Sequence, residues 1–411
     1  MATKRWKGAA KAVTQITTIT FSAYTSGETY TVTCGGKSVS FVATASTAAN
    51  VVDGLVAAIE TESAVLVEFS EFTAENDTNE LKLTANTAGV PFTVTATAST
   101  GTATVTATQA ATGTNFFDNA DNWSDGTVPA AGDDLVFENS AVSLLYALVD
   151  TTNYGDIDIK STFTGEIGLP ATNSIGYPEY RERFLKLGNG SSASAVTIGQ
   201  GNGAQSARVN LDANQETYTL NVYGSGFSSD EGTAIRVKNM DSSSAINLFG
   251  GSVTIDADTS GSAGTVNMTP EDTTASLIIS ETCTAGAITM TGGQLELWGN
   301  ASSLDVRGGS VDVFGSAAIP DVDIGQGATV NWASTGGIST KLDVFADGTI
   351  DFTNNATAKT VAACDLHRGG TILDPMSAVT WTNGTDWIGC ESTADATFVF
   401  GRGRTLTSTA A

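Results

Sequence analysis

Acidic side chains are the most frequent of the residues that could carry chemistry in this chain. Asp305, Asp323, Asp343 and Asp365 each follow one apolar residue and precede another. Carboxylate pairs about 5–9 Å apart serve glycoside hydrolysis, and clustered carboxylates can also bind cations. Acids on an outer sheet face equally keep a sheet soluble and prevent lateral association. A solvated face, a cation site and a catalytic pair therefore all remain open for these four residues.

A second series of polar residues lies between these segments and bears on the same question. Acids on both outer faces of a repetitive structure are typical of a surface that is kept soluble by charge, so the second series weakens the catalytic interpretation. Its members are Glu296, Asp312, Asn331 and Asp351.

The chain contains a single histidine, His367, two residues after Asp365 and therefore on the same face of a strand. With one histidine, neither an HExxH motif nor a multi-histidine metal site is possible. No serine is placed by sequence to complete a triad, so we expect His367 to be a solvated surface residue. The sequence predicts no catalytic, cofactor-binding or metal-binding residue.

Two further motifs lack the context that their chemistry requires. The run Gly199-Gln200-Gly201-Asn202-Gly203 follows a strand pattern, but no helix pattern follows it, so it does not predict a phosphate-binding loop. The four cysteines are far apart and form no CxxC pair, which argues against a zinc site or a disulfide framework. They are Cys34, Cys283, Cys364 and Cys390.

An aromatic and charged cluster interrupts a background rich in Thr and Ser. Such side chains can line an interface or a glycan site, and they can equally form a loop that covers the start of the repeats. The sequence leaves these three alternatives open. The cluster consists of Tyr177, Tyr180, Arg181, Arg183 and Phe184.

The charge balance restricts the partners. The 411 residues include 19 basic and 44 acidic side chains, a formal net charge of −25, which repels nucleic acid and anionic membranes. The exception is the N-terminus, where Lys4, Arg5, Lys7 and Lys11 predict either a frayed, solvated tail or a docking arm for an acidic partner. The start lacks the apolar core of a signal peptide, and no stretch of 18 apolar residues exists, so we expect synthesis in a cytoplasm.

Residues 15–108 predict a small unit in which strand and helix periods alternate in the order β-β-α-β-β-β. A hairpin turns at Gly35-Gly36, and a helix follows from about residue 48, with Ser46 or Thr47 as its cap. Alternating apolar residues then predict strands near residues 65–69, 81–83 and 92–94. Residues 108–114 are typical of a linker.

Short repeats mark the C-terminal half. The apolar–Asp–apolar segments that begin at Leu304, Val322, Leu342 and Cys364 are offset by 18, 20 and 22 residues. Gly-Gly pairs recur between strand segments and supply turns that need a positive φ. Stacking such units about 4.8 Å apart buries a continuous core, which predicts a parallel β-helix. A β-sandwich of the same short strands is the main alternative.

The chain resembles a family of predicted phage and prophage structural proteins. The resemblance rests on the segments MATKRWKGAAKAV, GETYTVTCGGKSVSFVATASTAANVVDGLVAAI, NWSDGTVPAAGDD and GYPEYRERFLKLG. The second segment is similar to a module of phage virion proteins, and the third is similar to the N-terminal cap of many phage β-helices. The repeats resemble those of tailspikes in architecture alone.

The predicted fold is mainly β, with a C-terminal right-handed parallel β-helix preceded by a small α+β N-terminal module. Its parts are a basic arm (1–14), the module (15–108), a linker with the β-helix cap (109–180) and the β-helix with a C-terminal cap (181–411).

The resemblance implies a non-enzymatic virion structural protein, exposed on the particle as a capsid decoration, head fibre or tail component. The module would anchor it and the β-helix would project. The main alternative is a tailspike that binds or hydrolyses host surface polysaccharide. A bacterial adhesin is a third, which the missing signal peptide disfavours. We expect a homotrimer that contacts other virion proteins through its arm and module, with no cofactor.

Overall fold

The fold is mainly β, with 44% of the residues in strands and 6% in helices. The computed structural model describes residues 2–149, 152–188, 194–201, 208–226, 233–270, 275–390 and 395–400. None of the helices in these ranges combines the length and apolar character that a membrane span requires.

The chain opens with strand β1 (Thr3–Arg5), which joins a long sheet described below. A small unit of two antiparallel sheets and one helix follows. Its strands are β2 (Ile16–Phe21), β3 (Thr29–Cys34), β4 (Lys37–Val42), β5 (Phe72–Asp77), β6 (Glu80–Ala85), β7 (Val94–Ala98) and β8 (Ala103–Gln109). One sheet has the order β5-β6-β2-β8 and the other the order β4-β3-β7. We call residues 16–109 the N-terminal module.

The predicted hairpin and helix of the module are confirmed. Strands β3 and β4 pair in antiparallel fashion around Gly35-Gly36. Helix α1 (Ala48–Glu62) begins after Thr47, whose side chain accepts a hydrogen bond from the backbone N–H of Asn50. The helix buries one apolar face against the sheets, which completes the core of the module. That face consists of Val51, Val52, Leu55 and Ile59.

The strand expected near residues 65–69 is wrong, because Val67–Glu71 is a 3-10 helix. Val65 is 75% exposed, whereas the consecutive residues Glu68 and Phe69 are both buried, and neighbours in a strand point to opposite faces. Strands β2, β5 and β8 were not predicted, since Thr and Ala occupy many of their positions. Strand β8 also extends into the expected linker.

The rest of the chain consists of short parallel strands. They are β9 (Asp134–Phe137), β10 (Ile157–Lys160), β11 (Leu185–Lys186), β12 (Ser194–Gln200), β13 (Val209–Asp212), β14 (Tyr218–Val222), β15 (Ile235–Lys238), β16 (Ala245–Leu248), β17 (Ser252–Asp256), β18 (Gly261–Met268), β19 (Ser276–Ile279), β20 (Cys283–Met290), β21 (Gln294–Leu297), β22 (Ala301–Val306), β23 (Ser310–Val313), β24 (Asp321–Ile324), β25 (Thr329–Trp332), β26 (Lys341–Val344), β27 (Thr349–Asp351), β28 (Lys359–Val361), β29 (Cys364–His367), β30 (Thr371–Asp374), β31 (Val379–Trp381), β32 (Thr385–Ile388) and β33 (Thr397–Phe400). A second 3-10 helix covers Ala120–Asn122.

These strands form two long parallel sheets, which we call the parallel region. The first sheet has thirteen strands in the order β1-β9-β10-β12-β14-β16-β18-β20-β22-β24-β26-β29-β32. The second has eleven, in the order β11-β13-β15-β17-β19-β21-β23-β25-β27-β30-β33, and β28 pairs with β31. From β10 to β27 successive strands alternate between the two long sheets, as in a solenoid-like winding.

The repeat offsets predicted the register of the first sheet correctly. Leu304 pairs with Val322, Val322 with Leu342, and Leu342 with Cys364. All four side chains are at most 2% exposed and belong to one continuous core. Residues about twenty positions apart therefore lie directly over each other, each one step further along the sheet.

In three of the Gly-Gly pairs the second glycine supplies the predicted positive φ. Gly251, Gly293 and Gly309 have φ between 83° and 84°. A Cβ on Gly309 would lie 2.4 Å from the carbonyl oxygen of Gly293, closer than any real contact. Glycine is needed there both for the backbone angle and for the close approach of successive turns.

The prediction of a frayed, solvated N-terminal tail is wrong, and the docking arm for an acidic partner stays a prediction. Strand β1 pairs in parallel with β9, and Trp6 is 2% exposed in the core of the parallel region. Lys4 is buried, with its Nζ 2.5 Å from a carboxylate oxygen of Asp125 and 3.8 Å from one of Asp133. Two of the four basic residues of this segment, Lys4 and Arg5, are thus neutralised within the chain, Arg5 by Glu138.

The parallel pairing begins earlier than predicted. Strands β9 and β10 already belong to the first sheet, although residues 109–180 were expected to be a linker and a cap. The segment does close one end of the core, because Trp123 packs edge-on against Trp6 and Phe117, with ring centroids 5.3 Å apart in both pairs. Residues 401–411, at the end of the part expected to include a C-terminal cap, lie outside the described residues.

Candidate functional site

The four predicted aspartates form one column on the outer face of the first sheet. The strand register places each carboxylate one step from the next. The column continues by one residue that the sequence had not suggested, because Asp365 pairs with Asp386. We call these residues the aspartate column: Asp305, Asp323, Asp343, Asp365 and Asp386.

Basic side chains partly neutralise the aspartate column. The Nζ of Lys341 lies 3.0 Å from Asp343 and 2.6 Å from Asp365, so one ammonium bridges two steps. These two hydrogen bonds raise the pKa of Lys341 above its ordinary value. A guanidinium nitrogen of Arg307 lies 2.7 Å from Asp305.

Asp323 has the least favourable position in the column. Partial burial raises its pKa first, and the charges of Asp343 and Asp305 on either side raise it further. At neutral pH the folded chain therefore carries an acidic group that is easier to protonate than in the unfolded chain. A carboxyl with a raised pKa beside a second carboxyl is also a pattern that acid–base pairs of enzymes use.

His367 lies beside the aspartate column and is only partly solvated, with 26% of its side chain exposed. Its ring stacks on Phe345 with centroids 4.4 Å apart, and its Nε2 lies 3.7 Å from Asp343. One ligand atom each of Asp343, Asp365 and His367 fall within 4.8 Å of one another. The ammonium of Lys341 already occupies the space between the two carboxylates, so the group fits an ion-pair cluster better than a metal centre.

The predicted second series also forms a column, on the outer face of the second sheet. The register joins its members step by step, and Asn331 donates a hydrogen bond of 2.6 Å to Asp312. In the part of the chain that the structure describes, none of its acids has an ion pair with a basic residue. We call it the uncompensated column: Glu296, Asp312, Asn331 and Asp351.

The aromatic and charged cluster near residue 180 joins the parallel region to the N-terminal module. Glu71 of the module is buried and accepts hydrogen bonds from the hydroxyls of Tyr177 and Tyr180, the latter at 2.6 Å. A guanidinium nitrogen of Arg181 lies 3.1 Å from Glu71. Burial comes first among the causes that raise the pKa values of both tyrosines, so their hydroxyls stay protonated and donate.

Arg181 is the centre of this junction. It forms a two-pronged ion pair with Glu179 at 2.7 and 2.8 Å and donates to the carbonyl oxygen of Pro91 at 2.8 Å. Burial alone would raise the pKa of Glu179, but the hydrogen bonds from Arg181 outweigh it and lower the pKa. Of the three alternatives for the cluster, the structure supports an interface, and the interface lies within the chain.

The last two residues of the cluster cover the start of the second sheet instead. Phe184 is buried, with the guanidinium of Arg183 and the Nζ of Lys238 over its ring at 5.6 and 4.7 Å. Arg183 also donates to the carbonyl oxygen of Pro170 at 3.1 Å. The loop alternative is thus supported for these two residues.

A cleft of about 350 Å³ opens beside the junction. The module contributes Asn86 and Val90 to its lining, and the parallel region contributes Tyr146 and Ile175. Its charged lining residues are engaged with one another, as Arg208 is with Glu166. The lining includes no member of either acid column.

The cysteines and the glycine run add no reactive site. All four cysteines are free, and burial raises the pKa of the Cys34 thiol to about 12, which keeps it protonated and unreactive. Gly199 lies in strand β12 with φ of 79°, and no helix begins at Gly201. Asn202 and Gly203 lie outside the described residues.

The chain matches no protein-family model, no curated protein and no solved structure.

Proposed function

We propose that this chain is a non-enzymatic structural protein exposed on a phage particle. In this proposal the two long sheets wind as a right-handed parallel β-helix, which projects from the particle, and the N-terminal module anchors it. The observation that carries the proposal is the parallel pairing of the first sheet, which continues through thirteen strands. Such a register suits a stiff, elongated body.

The alternation of strands between two sheets supports a helical winding. From β10 to β27 each strand pairs with the next strand but one along the chain, so every turn there returns to the same sheet. Parallel strands joined by a crossover are right-handed in nearly all proteins. The thirteen strands of the first sheet are separated by twelve steps of about 4.8 Å, which gives a body about 58 Å long.

The junction supports the anchoring role. A module that must transmit load to a projecting body needs a fixed connection, and Glu71, Arg181 and Glu179 provide buried, charge-assisted hydrogen bonds across it. The virion assignment itself rests on the resemblance of the sequence segments, since fold alone does not fix function.

The proposal is tested on particles released by the producing cells. We expect the intact chain to co-sediment with purified particles through a density gradient, and external protease to cleave it there. The protein in the soluble cell fraction alone, absent from particles, would contradict the proposal. Particles of a deletion strain provide the control.

A homotrimer is part of the proposal, because three β-helices pack along a common axis. The test is sedimentation equilibrium of the purified chain at micromolar concentration. A mass of three chains is expected, and a monomer under these conditions would count against it.

A tailspike that hydrolyses host polysaccharide is the second candidate. The pKa of Asp323 is raised and Asp343 lies one step away in the register, and glycoside hydrolysis uses an acid with a raised pKa together with a second carboxyl group. The test is to incubate the chain with host surface glycan and measure its length. If Asp323→Asn shortens glycan as fast as the original chain, or neither shortens it, the aspartate column is not catalytic. Asp312→Asn, on the other sheet, is the matched control.

A further inference from the structure

An aromatic pair stands on the outer face of the second sheet. Trp298 directly follows β21 and Phe314 directly follows β23, and their rings stack with centroids 4.6 Å apart and planes inclined by 25°. Trp298 is 37% exposed, whereas Trp6, Trp123 and Trp332 are buried. The exposed area of a large indole beside a second ring forms a flat apolar surface.

The ladder of hydrogen bonds fixes the backbone under both rings. The N–H of Trp298 donates to the carbonyl oxygen of Ile279 at 3.0 Å, and that of Phe314 donates to Leu297 at 2.8 Å. In the register of the sheet, the small side chain of Ser280 precedes Trp298 by one step. The backbone of the pair is therefore held in place, and the neighbour of Trp298 on this side is the small side chain of Ser280.

The uncompensated column lies beside the aromatic pair. Glu296 and Asp312 are two residues before Trp298 and Phe314, and the alternation of buried and outward residues places each acid on the same face as its ring. Neither acid forms an ion pair with a basic side chain of the described residues. This face thus combines an open aromatic surface with negative charge that the chain itself leaves unbalanced.

We propose that this face binds an arginine-bearing segment of a partner protein. A guanidinium plane stacks on the free face of the indole and donates N–H groups to Glu296 on the same strand, and Asp312, one step away on the strand of Phe314, adds negative charge. Charge complementarity selects this occupant, because a chain of net charge −25 attracts a basic segment. Arginine fits better than lysine, since its planar group can stack and donate at the same time.

The chain contains a matched surface that lacks the acids. Tyr223 stacks on Phe249 beside the first sheet, with centroids 4.7 Å apart and planes inclined by 18°. The neighbouring column there consists of amides, in which Asn247 donates to Asn221 at 2.9 Å. Tyr223 is 43% exposed, so this pair offers a similar ring without charge.

The test uses calorimetry with a synthetic peptide that contains two arginines separated by glycine. The control peptide has citrulline, which keeps the planar shape and loses the charge. We expect the arginine peptide alone to bind, and its affinity to fall several-fold as sodium chloride rises from about 50 to 500 mM. Equal binding of the citrulline peptide would overturn the proposal.

Substitutions then locate the site. We expect Trp298→Ala to weaken binding about fivefold, the double change Glu296→Gln and Asp312→Asn to weaken it about tenfold, and Tyr223→Ala to leave it unchanged. An equal loss with Tyr223→Ala, or full affinity of the double variant, would overturn the assignment. The double variant leaves the aromatic packing intact, so it decides the question even if Trp298→Ala fails to fold.

A second titration, with spermidine, distinguishes stacking of a planar group from simple attraction between charges. Spermidine carries positive charge but no planar group, so we expect weaker binding that Trp298→Ala does not change. Spermidine binding as tight as that of the arginine peptide would contradict a stacked guanidinium. The inference does not depend on the virion assignment, so each can fail without the other.

Discussion

Single carboxylates in the aspartate column differ in what surrounds them, although the sequence presents them as equivalent. The period of two along each strand predicted that Asp305, Asp323, Asp343 and Asp365 share an outer face, and the register confirms it. The ion pairs could not be predicted, because Lys341 reaches two steps through a flexible side chain. Asp323 is left between two acids as a consequence.

Replacing Asp323 with Asn is expected to stabilise the chain at neutral pH. The pKa of Asp323 is raised in the folded state, so this carboxyl destabilises the fold above its unfolded value of 3.8, and the penalty disappears below that pH. We expect the melting temperature at pH 7 to rise by on the order of 1 °C, with no gain near pH 3.

The matched control for this change is Asp321→Asn on the same strand, because Asp321 is exposed and pairs with Lys341 in the register. Thermal unfolding at both pH values provides the measurement. A lower melting temperature for Asp323→Asn at pH 7 would show that the carboxylate is bound by a cation in solution.

Among the elements, the N-terminal strand is the clearest departure from the sequence prediction. Four basic residues before any acid predicted a solvated tail or a docking arm, yet β1 extends the first sheet beyond β9. The acids that neutralise Lys4 and Arg5 lie more than 100 residues away, as the separation of Lys4 and Asp125 by 121 positions shows. A local charge pattern cannot reveal partners at that distance.

Trp6→Ala is expected to destabilise the parallel region by about 3–5 kcal/mol. The indole is buried between Trp123 and Phe137 and donates a hydrogen bond to the carbonyl oxygen of Val142 at 2.8 Å. Denaturant unfolding gives the free energy, with Lys7→Ala, an exposed neighbour, as the control. A loss below about 0.5 kcal/mol would mean that β1 is not docked.

The junction between the parallel region and the N-terminal module gives a pH-dependent prediction at Glu179. Because its pKa is lowered, Glu179 stabilises the fold above its unfolded pKa of 4.5, and this contribution is lost as pH falls further. We expect Glu179→Gln to lower the free energy of unfolding by about 2–3 kcal/mol at pH 7, because Arg181 then lacks the carboxylate that it pairs with. The loss is smaller in acid, where Glu179 itself becomes protonated.

Glu60→Gln, on the exposed face of helix α1, is the control for Glu179→Gln. Denaturant unfolding at pH 7 and pH 3.5 measures both variants. An effect of Glu179→Gln that is equal at the two pH values would show that the ion pair with Arg181 does not form.

For the molecule as a whole, the repeating part was predictable and the connections between parts were not. Offsets of 18, 20 and 22 residues sufficed to align the apolar columns, because every step of a parallel sheet has the same spacing. The junction could not be predicted, since Glu71 and Tyr177 are 106 residues apart. The aromatic and charged cluster that includes Tyr177 was a local signal of an interface, but its partner Glu71 lay in another part of the chain.

The stacking of residues about twenty positions apart is tested most directly by distances between spin labels. Labels are introduced as unnatural amino acids, so that the four native cysteines remain, at Asn221 together with Asp305, Asp343 or Asp386 in turn. These positions are four, six and eight steps from Asn221 in the column of the first sheet. The account predicts distances of about 19, 29 and 38 Å, a constant increase of about 4.8 Å per step. A distance from Asn221 to Asp386 no longer than that to Asp305 would contradict it.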